Sequence, residues 1–209
     1  VAIGPIVNTT NTAGYYEFTN LAPGTYTVCE EQRVNWVQTY PGLNVCQTIV
    51  IDISGESNAN SNFGNRAQGT IEVKKVLSPA TDPGKFNLAV DGETQASNVG
   101  DGGTTGQVTV WAGDHTASEA AGTATDLANY SSTYSCSNGQ EGTGISISDI
   151  TVSAGDHIVC TFTNTRNTGT ITVIKQVVND NGGTATASDF NLYVNGDTVT
   201  SNVANTYNT

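Results

Sequence analysis

GTIEVKKV at residues 69–76 recurs as GTITVIKQV at residues 169–177, with one hundred positions between the two starts. In both copies apolar residues alternate with polar or charged ones, and this period of two predicts a β-strand with one buried face. A second match follows each copy, FNLAVDG at residues 86–92 and FNLYVNG at residues 190–196. The two matches together predict tandem copies of one β-domain.

The composition of the chain favours the same class of fold. The 209 residues include 23 Gly and are 36% hydrophobic but only 12% charged. Val and Ile are spread through short alternating runs that are separated by Gly and Asn, which is typical of many short strands joined by turns. The sequence therefore predicts an all-β protein.

Similar strand ends precede the two copies and locate the boundaries between domains. NFGNR at residues 62–66 precedes the first copy and TFTNTR at residues 161–166 precedes the second. We therefore expect residues 1–68 to be the back half of a β-sandwich, residues 69–168 a complete one, and residues 169–209 the front half of another. Half a sandwich exposes strand edges, so we expect completion by the next part of a longer chain or by a neighbouring copy.

The charge of the chain excludes some classes of partner. Seven Lys and Arg stand against 19 Asp and Glu, which gives a formal net charge of −12. Such a surface repels nucleic acids and anionic membranes, so neither is an expected partner. The sequence begins with neither Met nor a charged and apolar leader, and we interpret it as a mature or internal piece of a longer chain.

The four cysteines form two pairs that are close in sequence, Cys29 with Cys46 and Cys136 with Cys160. Their spacing does not fit a zinc site, and this favours disulfides and an oxidising exterior. Three pairings exist in principle, of which we prefer the two close pairs. Parity predicts that the first disulfide lies on an outer face and that the second faces the core.

A third internal match relates the first segment to the middle one. LAPGTYTVCE at residues 21–30 aligns with VWAGDHTASE at residues 110–119, so that Glu30 and Glu119 occupy equivalent positions. Both stretches combine an apolar start, a Gly turn and a strand that ends on Glu.

The longer stretch YEFTNLAPGTYTVCE, at residues 16–30, closely resembles the signature strand of the Cna protein B-type, prealbumin-like domains of bacterial surface adhesins and pilins. Trp36 and NFGN at residues 62–65 resemble the B-repeat of serine-aspartate-repeat surface proteins. Residues 69–209 are similar to the SpaA-type prealbumin-like modules of large cell-surface proteins. The resemblance implies tandem immunoglobulin-like or prealbumin-like β-sandwiches in an extracellular stalk, adhesin or filament.

The resemblance also implies one piece of chemistry. Many members of this family join a Lys of the first strand to an Asn of the last strand by an isopeptide bond, assisted by the Glu that ends the signature strand. The corresponding residues in the middle segment are Lys75, Glu119 and Asn164. Partial sets consist of Glu30 and Asn65 in the first segment, and Lys175 in the last.

Parity supports the choice of Lys75. Ile71, Val73 and Lys75 share one face of a strand, whereas Lys74 faces outward. Burial disfavours charge, so it favours a neutral, nucleophilic amine and a protonated Glu119 that donates to the Asn164 carbonyl. The alternative is a buried Lys–Glu ion pair that is hydrogen-bonded to Asn164 and contributes little net stability.

No stretch predicts a metal site or a cofactor. The two histidines lie in AGDH tetrads at residues 112–115 and 154–157, and NDNGG spans residues 179–183. All three stretches are typical of turns that precede a strand or join two strands.

Taken together, these features predict a structural segment of a long extracellular surface protein. Its partners would be copies of itself or neighbouring modules of the same chain, and it would not be an enzyme beyond a single-turnover isopeptide step. The alternative is an adhesin module that binds a glycan or a protein of the host or environment.

Overall fold

The structure, a computed structural model, describes residues 14–58 and 61–199 together with the backbone of residues 205–207. Its first eight strands are β1 Gly24–Val28, β2 Trp36–Tyr40, β3 Gln47–Ile51, β4 Gly64–Ser78, β5 Phe86–Val90, β6 Glu93–Val99, β7 Val108–Trp111 and β8 Gly113–Ala121. The next eight are β9 Tyr130–Cys136, β10 Glu141–Thr143, β11 Ser146–Val152, β12 His157–Arg166, β13 Gly169–Ile171, β14 Leu192–Val194, β15 Asp197–Val199 and β16 Asn205–Tyr207.

The predicted all-β class is confirmed. Strands dominate the described residues, and the two helical segments there are single 3-10 turns, Leu127–Asn129 and Ala187–Asp189. No helix in the described part of the chain has the length and apolar character needed to cross a membrane. The sheets pack face to face as β-sandwiches, which buries the apolar face of each strand.

The chain divides into two compact units. The first comprises residues 1–72, 107–116 and 148–158, and the second comprises residues 73–106, 117–147 and 159–209. Because β4, β8, β11 and β12 each contribute residues to both units, the units do not follow chain order. The domain boundaries near residues 68 and 168 stay predictions.

In the first unit, β4 is the central strand. Its first residues pair antiparallel with β2, and the following residues pair antiparallel with β7. A separate antiparallel pair joins β1 to β3. One residue beyond these two strands, the predicted disulfide joins Cys29 to Cys46, and both cysteines are exposed, as parity predicts.

In the second unit, β5 lies between β6 and β8 in one sheet, and β9 lies between β10 and β12 in the other. The inward faces of these strands are apolar. Their buried side chains include those of Phe86, Leu88, Ala117, Cys160 and Phe162. This packing encloses the middle of β12.

The second predicted disulfide joins Cys136 of β9 to Cys160 of β12, and these residues lie directly opposite each other in the antiparallel register. Both are buried, as parity predicts. The disulfide therefore fixes the register of the two strands at one point.

The repeated sequence produces a repeated hairpin. Asp91 and Gly92 join β5 to β6, and both have positive φ, 51° and 80°. Asn195 and Gly196 join β14 to β15 with positive φ of 52° and 92°. Two-residue turns of this kind match the twist of antiparallel strands, which explains why Asp-Gly and Asn-Gly occur there.

Candidate functional site

Lys75 lies on β4 with its side chain in the core of the second unit. Ile71, Val73 and Leu77 of the same strand are buried, and Lys75 is buried with them. The neighbouring Lys74 is exposed. The prediction from parity about the two lysines is therefore confirmed.

The Lys75 ammonium contacts a carboxylate, a backbone carbonyl and an aromatic ring. Its Nζ lies 2.6 Å from Oε2 of Glu119, and both side chains are fully buried. It also lies 3.5 Å from the backbone carbonyl oxygen of Phe162, to which it donates. The ring centroid of Phe86 is 4.2 Å from Nζ.

Burial controls the titration of this amine. Removal from water lowers the pKa of Lys75, and the hydrogen bond and charge of Glu119 act in the opposite direction without cancelling that effect. Because its pKa is lowered, a larger fraction of the Lys75 amine is neutral at a given pH than in an exposed lysine. The neutral form is the nucleophile.

Asn164 lies on β12, and its side chain is fully buried. Neither its Nδ2 nor its Oδ1 has a hydrogen-bond partner, and Oε1 of Glu119 is also buried without one. Each unpartnered buried polar group costs roughly 1–3 kcal/mol, and buried polar side chains are usually satisfied. Three such atoms on two side chains therefore require an explanation.

Lys75 and Glu119 are in contact, and Asn164 lies two residues along β12 from Phe162, whose carbonyl oxygen Lys75 contacts. The three residues thus supply a buried amine, a buried carboxyl group and a buried primary amide. An amine can displace ammonia from an amide if the amine is neutral and a nearby group donates a proton to the carbonyl. Exclusion of water also protects the reacting groups from hydrolysis. The arrangement has the parts that an isopeptide bond requires, and the role of the three residues stays a prediction.

The first segment contains a related pair. Asn65 on β4 donates from Nδ2 to Oε1 of Glu30, so these two predicted residues are in contact. Oε2 of Glu30 is buried without a partner. Burial, and after it the negative charge of Glu30, raises the pKa of Tyr16. Residues 1–68 contain no Lys, and Asn65 is exposed.

In the last segment, Lys175 partly reproduces the environment of Lys75. Its Nζ lies 4.1 Å from the ring centroid of Phe190, the residue that corresponds to Phe86 in the repeat. Lys175 is half-buried, and Ile171 is 48% exposed. The assigned strand there covers only Gly169–Ile171, which is shorter than the repeat predicts.

Sequence reasoning missed a second buried polar cluster, formed by Asp82, Tyr130 and Arg166. Tyr130 donates its hydroxyl to Oδ1 of Asp82 at 2.6 Å, and Arg166 donates from Nε to Oδ2 at 2.8 Å. The backbone N–H of Gly84 also donates to Oδ1 at 2.8 Å. Arg166 has the same parity as Asn164, so its inward position is the signal that could have revealed the cluster.

Titration in this cluster follows from its hydrogen bonds. Burial alone would raise the pKa of Asp82, but the hydrogen bonds from Tyr130, Gly84 and Arg166 outweigh it and hold that pKa below its usual range. Burial, followed by the hydrogen bond and charge of Asp82, raises the pKa of Tyr130 to about 12. Asp82 is therefore ionised and Tyr130 neutral at neutral pH.

Family models identify the class of domain. Residues 70–166 match one model and residues 166–209 match a second, and both models are described as a prealbumin-like fold domain. The two matches together identify residues 70–209 as SpaA-type prealbumin-like domains, as the sequence predicts for residues 69–209. The matches begin at residue 70, so the resemblance of residues 1–68 to a B-repeat stays a prediction.

Among solved structures, the chain is similar to the major pilin of Streptococcus pyogenes, at 15% identity and a TM-score of 0.30, over 79% of this chain and 83% of that one. Two substitution variants of that pilin match at 14% identity and TM-scores of 0.29, one over 72% of this chain and 73% of its own, the other over 79% and 84%. No curated protein matches the chain.

Proposed function

We propose that Lys75 and Asn164 become joined by an amide bond, with Glu119 as the internal acid and base. The observation that carries this proposal is the Asn164 amide, which is fully buried with both polar atoms unpartnered. Formation of the bond expels one of those atoms as ammonia, and it leaves the other, Oδ1, to accept from a protonated Glu119. A simple ion pair explains neither atom.

The reaction balances without an external reagent. A proton passes from the Lys75 ammonium to Glu119, which is 2.6 Å away, and leaves a neutral amine. Nζ attacks Cγ of Asn164 while Glu119 donates to Oδ1. The bond from Cγ to Nδ2 then breaks as one of the two protons left on Nζ passes to Nδ2 and the proton on Oδ1 returns to Glu119. Ammonia leaves, and the new amide keeps one N–H.

We further propose that the protein is a structural segment of an extracellular surface protein, arranged as a stalk or filament of tandem sandwiches. Its membership of the prealbumin-like family and its two disulfides support this function. An internal covalent bond suits a protein outside the cell, where a module that unfolds is not rescued. The partners are copies of the chain or neighbouring modules, and the matches over 70–166 and 166–209 support modules at 69–168 and 169–209.

The test is the intact mass of the native protein, alkylated without reduction, followed by tandem mass spectrometry of the peptides that carry Lys75 and Asn164. We expect a mass deficit of one ammonia and a cross-link between these two peptides. Glu119→Gln should abolish both because it removes the group that accepts and returns the proton.

Lys74→Arg is the matched control, because Lys74 is the neighbour of Lys75 on the exposed side of β4. It should keep the cross-link, whereas Lys75→Arg should lose it. A native protein with its full mass, or a cross-link that persists in Lys75→Arg, would rule out the proposed bond.

A further inference from the structure

The strand that carries Asn164 is fastened on both sides of that residue. Cys160, four residues earlier on β12, is in a disulfide, and Arg166, two residues later, is paired with buried Asp82. We propose that Asp82 and the Cys136–Cys160 disulfide are positioning elements that hold Asn164 opposite Lys75. This inference rests on the proposed isopeptide bond, and it concerns the elements that place the Asn164 amide within reach of the Lys75 amine.

The fastening after Asn164 is centred on the Asp82 carboxylate, whose side chain is only 1% exposed. Oδ2 binds Nε of Arg166, and Oδ1 accepts from the Tyr130 hydroxyl and from the backbone N–H of Gly84. Arg166 and Tyr130 are also direct partners in the register of β12 and β9. The carboxylate therefore ties the end of β12 both to β9 and to the loop that precedes β5.

The same cluster contacts the lysine side of the site through two aromatic rings. The Tyr130 ring meets Phe86 edge to face, with centroids 5.3 Å apart. The Lys75 ammonium also lies against the Phe86 ring, with Nζ 4.2 Å from the centroid. By fixing Tyr130, Asp82 therefore supports the ring against which the nucleophile lies.

The fastening before Asn164 fixes the strand register. Cys160 lies opposite Cys136, and Asn164 lies opposite Ser132 in the same ladder. Because side chains alternate along a strand, a slip by one residue would turn Asn164 away from the core. The disulfide prevents that slip, since it joins two directly opposed residues.

Asp82 acts by geometry rather than as an acid or base. It contacts neither Lys75 nor Asn164, and its charge is compensated by Arg166. Loss of Asp82 should therefore slow bond formation without moving the pH at which the rate falls on the alkaline side. A group that only positions the reacting residues changes the rate without changing the pH at which those residues titrate.

The experiment starts from denatured, unlinked full-length chains that are refolded with their disulfides oxidised. The loss of ammonia is followed with time by intact mass at several pH values. We expect Asp82→Asn and Tyr130→Phe to reduce the rate at each pH, roughly 10- to 100-fold for Asp82→Asn, as expected when a reacting group is misplaced by about 1 Å. Asp126→Asn, an exposed aspartate at a turn, is the matched control and should link at the normal rate.

The disulfide is tested in the same assay with Cys136→Ala/Cys160→Ala, and Cys29→Ala/Cys46→Ala is the control. We expect the first pair to slow linkage and the second to leave it unchanged. Equal rates for Asp82→Asn, Asp126→Asn and the wild type would overturn the role of Asp82. Equal rates for the two cysteine pairs would overturn the role of the disulfide.

A separate measurement distinguishes failure of this inference from failure of the proposed bond. In Glu119→Gln, which cannot link, hydrogen exchange at residues 163–165 and the side-chain amide signals of Asn164 report the position of the strand. Adding Asp82→Asn should increase exchange there and shift the Asn164 signals, whereas adding Asp126→Asn should not. If the wild type fails to link but these changes occur, the proposed bond is wrong and the positioning role stands; if they do not occur, the positioning role is wrong.

Discussion

The middle and first segments each bring a Glu and an Asn together, and the comparison separates reactive chemistry from ordinary polar contact. In the first segment, Asn65 is exposed and its amide donates to Glu30. In the middle segment, Asn164 is fully buried and neither amide atom is paired, although Glu119 and Lys75 are in contact. The side-chain amide of asparagine therefore has a hydrogen-bond partner in the first segment and none in the middle segment.

This difference teaches that hydrogen-bond satisfaction is more informative than residue type. A buried amide without partners is costly, so a fold retains it only if the amide serves another purpose. An exposed amide can exchange partners with water at little cost. We therefore expect chemistry at Asn164 and none at Asn65, where residues 1–68 supply no lysine.

The largest expected effect comes from removing each asparagine. Asn164→Ala should lower the free energy of unfolding by about 4–5 kcal/mol, the chain-entropy value for a cross-link that closes a loop of this length. Asn65→Ala should change it by less than about 0.5 kcal/mol, as is usual for exposed positions. Urea unfolding of the two variants and the wild type measures the difference.

The size of the Asn164→Ala effect is diagnostic. Without a cross-link, this substitution removes two unpartnered buried atoms, which favours folding, and leaves a small cavity, which opposes it, so the net change should be small. A loss of about 4–5 kcal/mol therefore indicates the covalent bond. If Asn164→Ala proved neutral or stabilising, the contrast between the two segments would concern packing alone.

The two disulfides give a second, smaller contrast. Each should contribute about 3 kcal/mol in the chain-entropy model, because their sequence separations of 17 and 24 residues are similar. Their access to solvent differs, since Cys29 and Cys46 are exposed whereas Cys136 and Cys160 are buried. A mild thiol reductant should therefore open Cys29–Cys46 first.

Timed alkylation with mass spectrometry measures which disulfide opens. The control is the same reaction in denaturant, where both disulfides are equally accessible and should open together. Simultaneous opening under native conditions would mean that exposure does not govern the reactivity of these two disulfides.

Much of the fold and part of the site followed from the period of two. Alternation along β4 correctly separated Lys75 from Lys74, and alternation along β12 put Asn164 in the core. The sequence also predicted both disulfides. These are local properties, because a strand specifies its own buried face.

What the sequence did not reveal depends on contacts between distant segments. Asp82 precedes Pro83 and Gly84 and reads as a turn residue, and Tyr130 lies 48 positions away. Only packing brings them to Arg166. The exposure of Ile171 is a similar case, because alternation predicts which face of a strand is apolar and does not predict what covers it.

The smallest expected effect is a pH dependence that distinguishes linked from unlinked protein. In Asn164→Ala, Lys75 remains an amine whose pKa is lowered from 10.5 by burial. Between that lowered value and 10.5, the unfolded chain binds more protons than the native one, so the free energy of unfolding should rise with pH, by at most about 1.4 kcal/mol per pH unit. The linked wild type has no free amine at this position and should lack that increase.

The upper end of the pH range is set by Tyr130. Its pKa rises from 10.0 to about 12 on folding, so its contribution is fully present below pH 10 and is lost as the pH rises toward 12. Urea unfolding of Asn164→Ala and wild type should therefore be compared below about pH 10, where Tyr130 contributes equally to both and the difference between their slopes reports the site that contains Lys75. Lys75→Met in the Asn164→Ala background removes the amine and should abolish the rise in stability that deprotonation of Lys75 causes. An equal slope in the wild type would mean that Lys75 still carries a free amine there, and the distinction between a reacted and an unreacted site would fail.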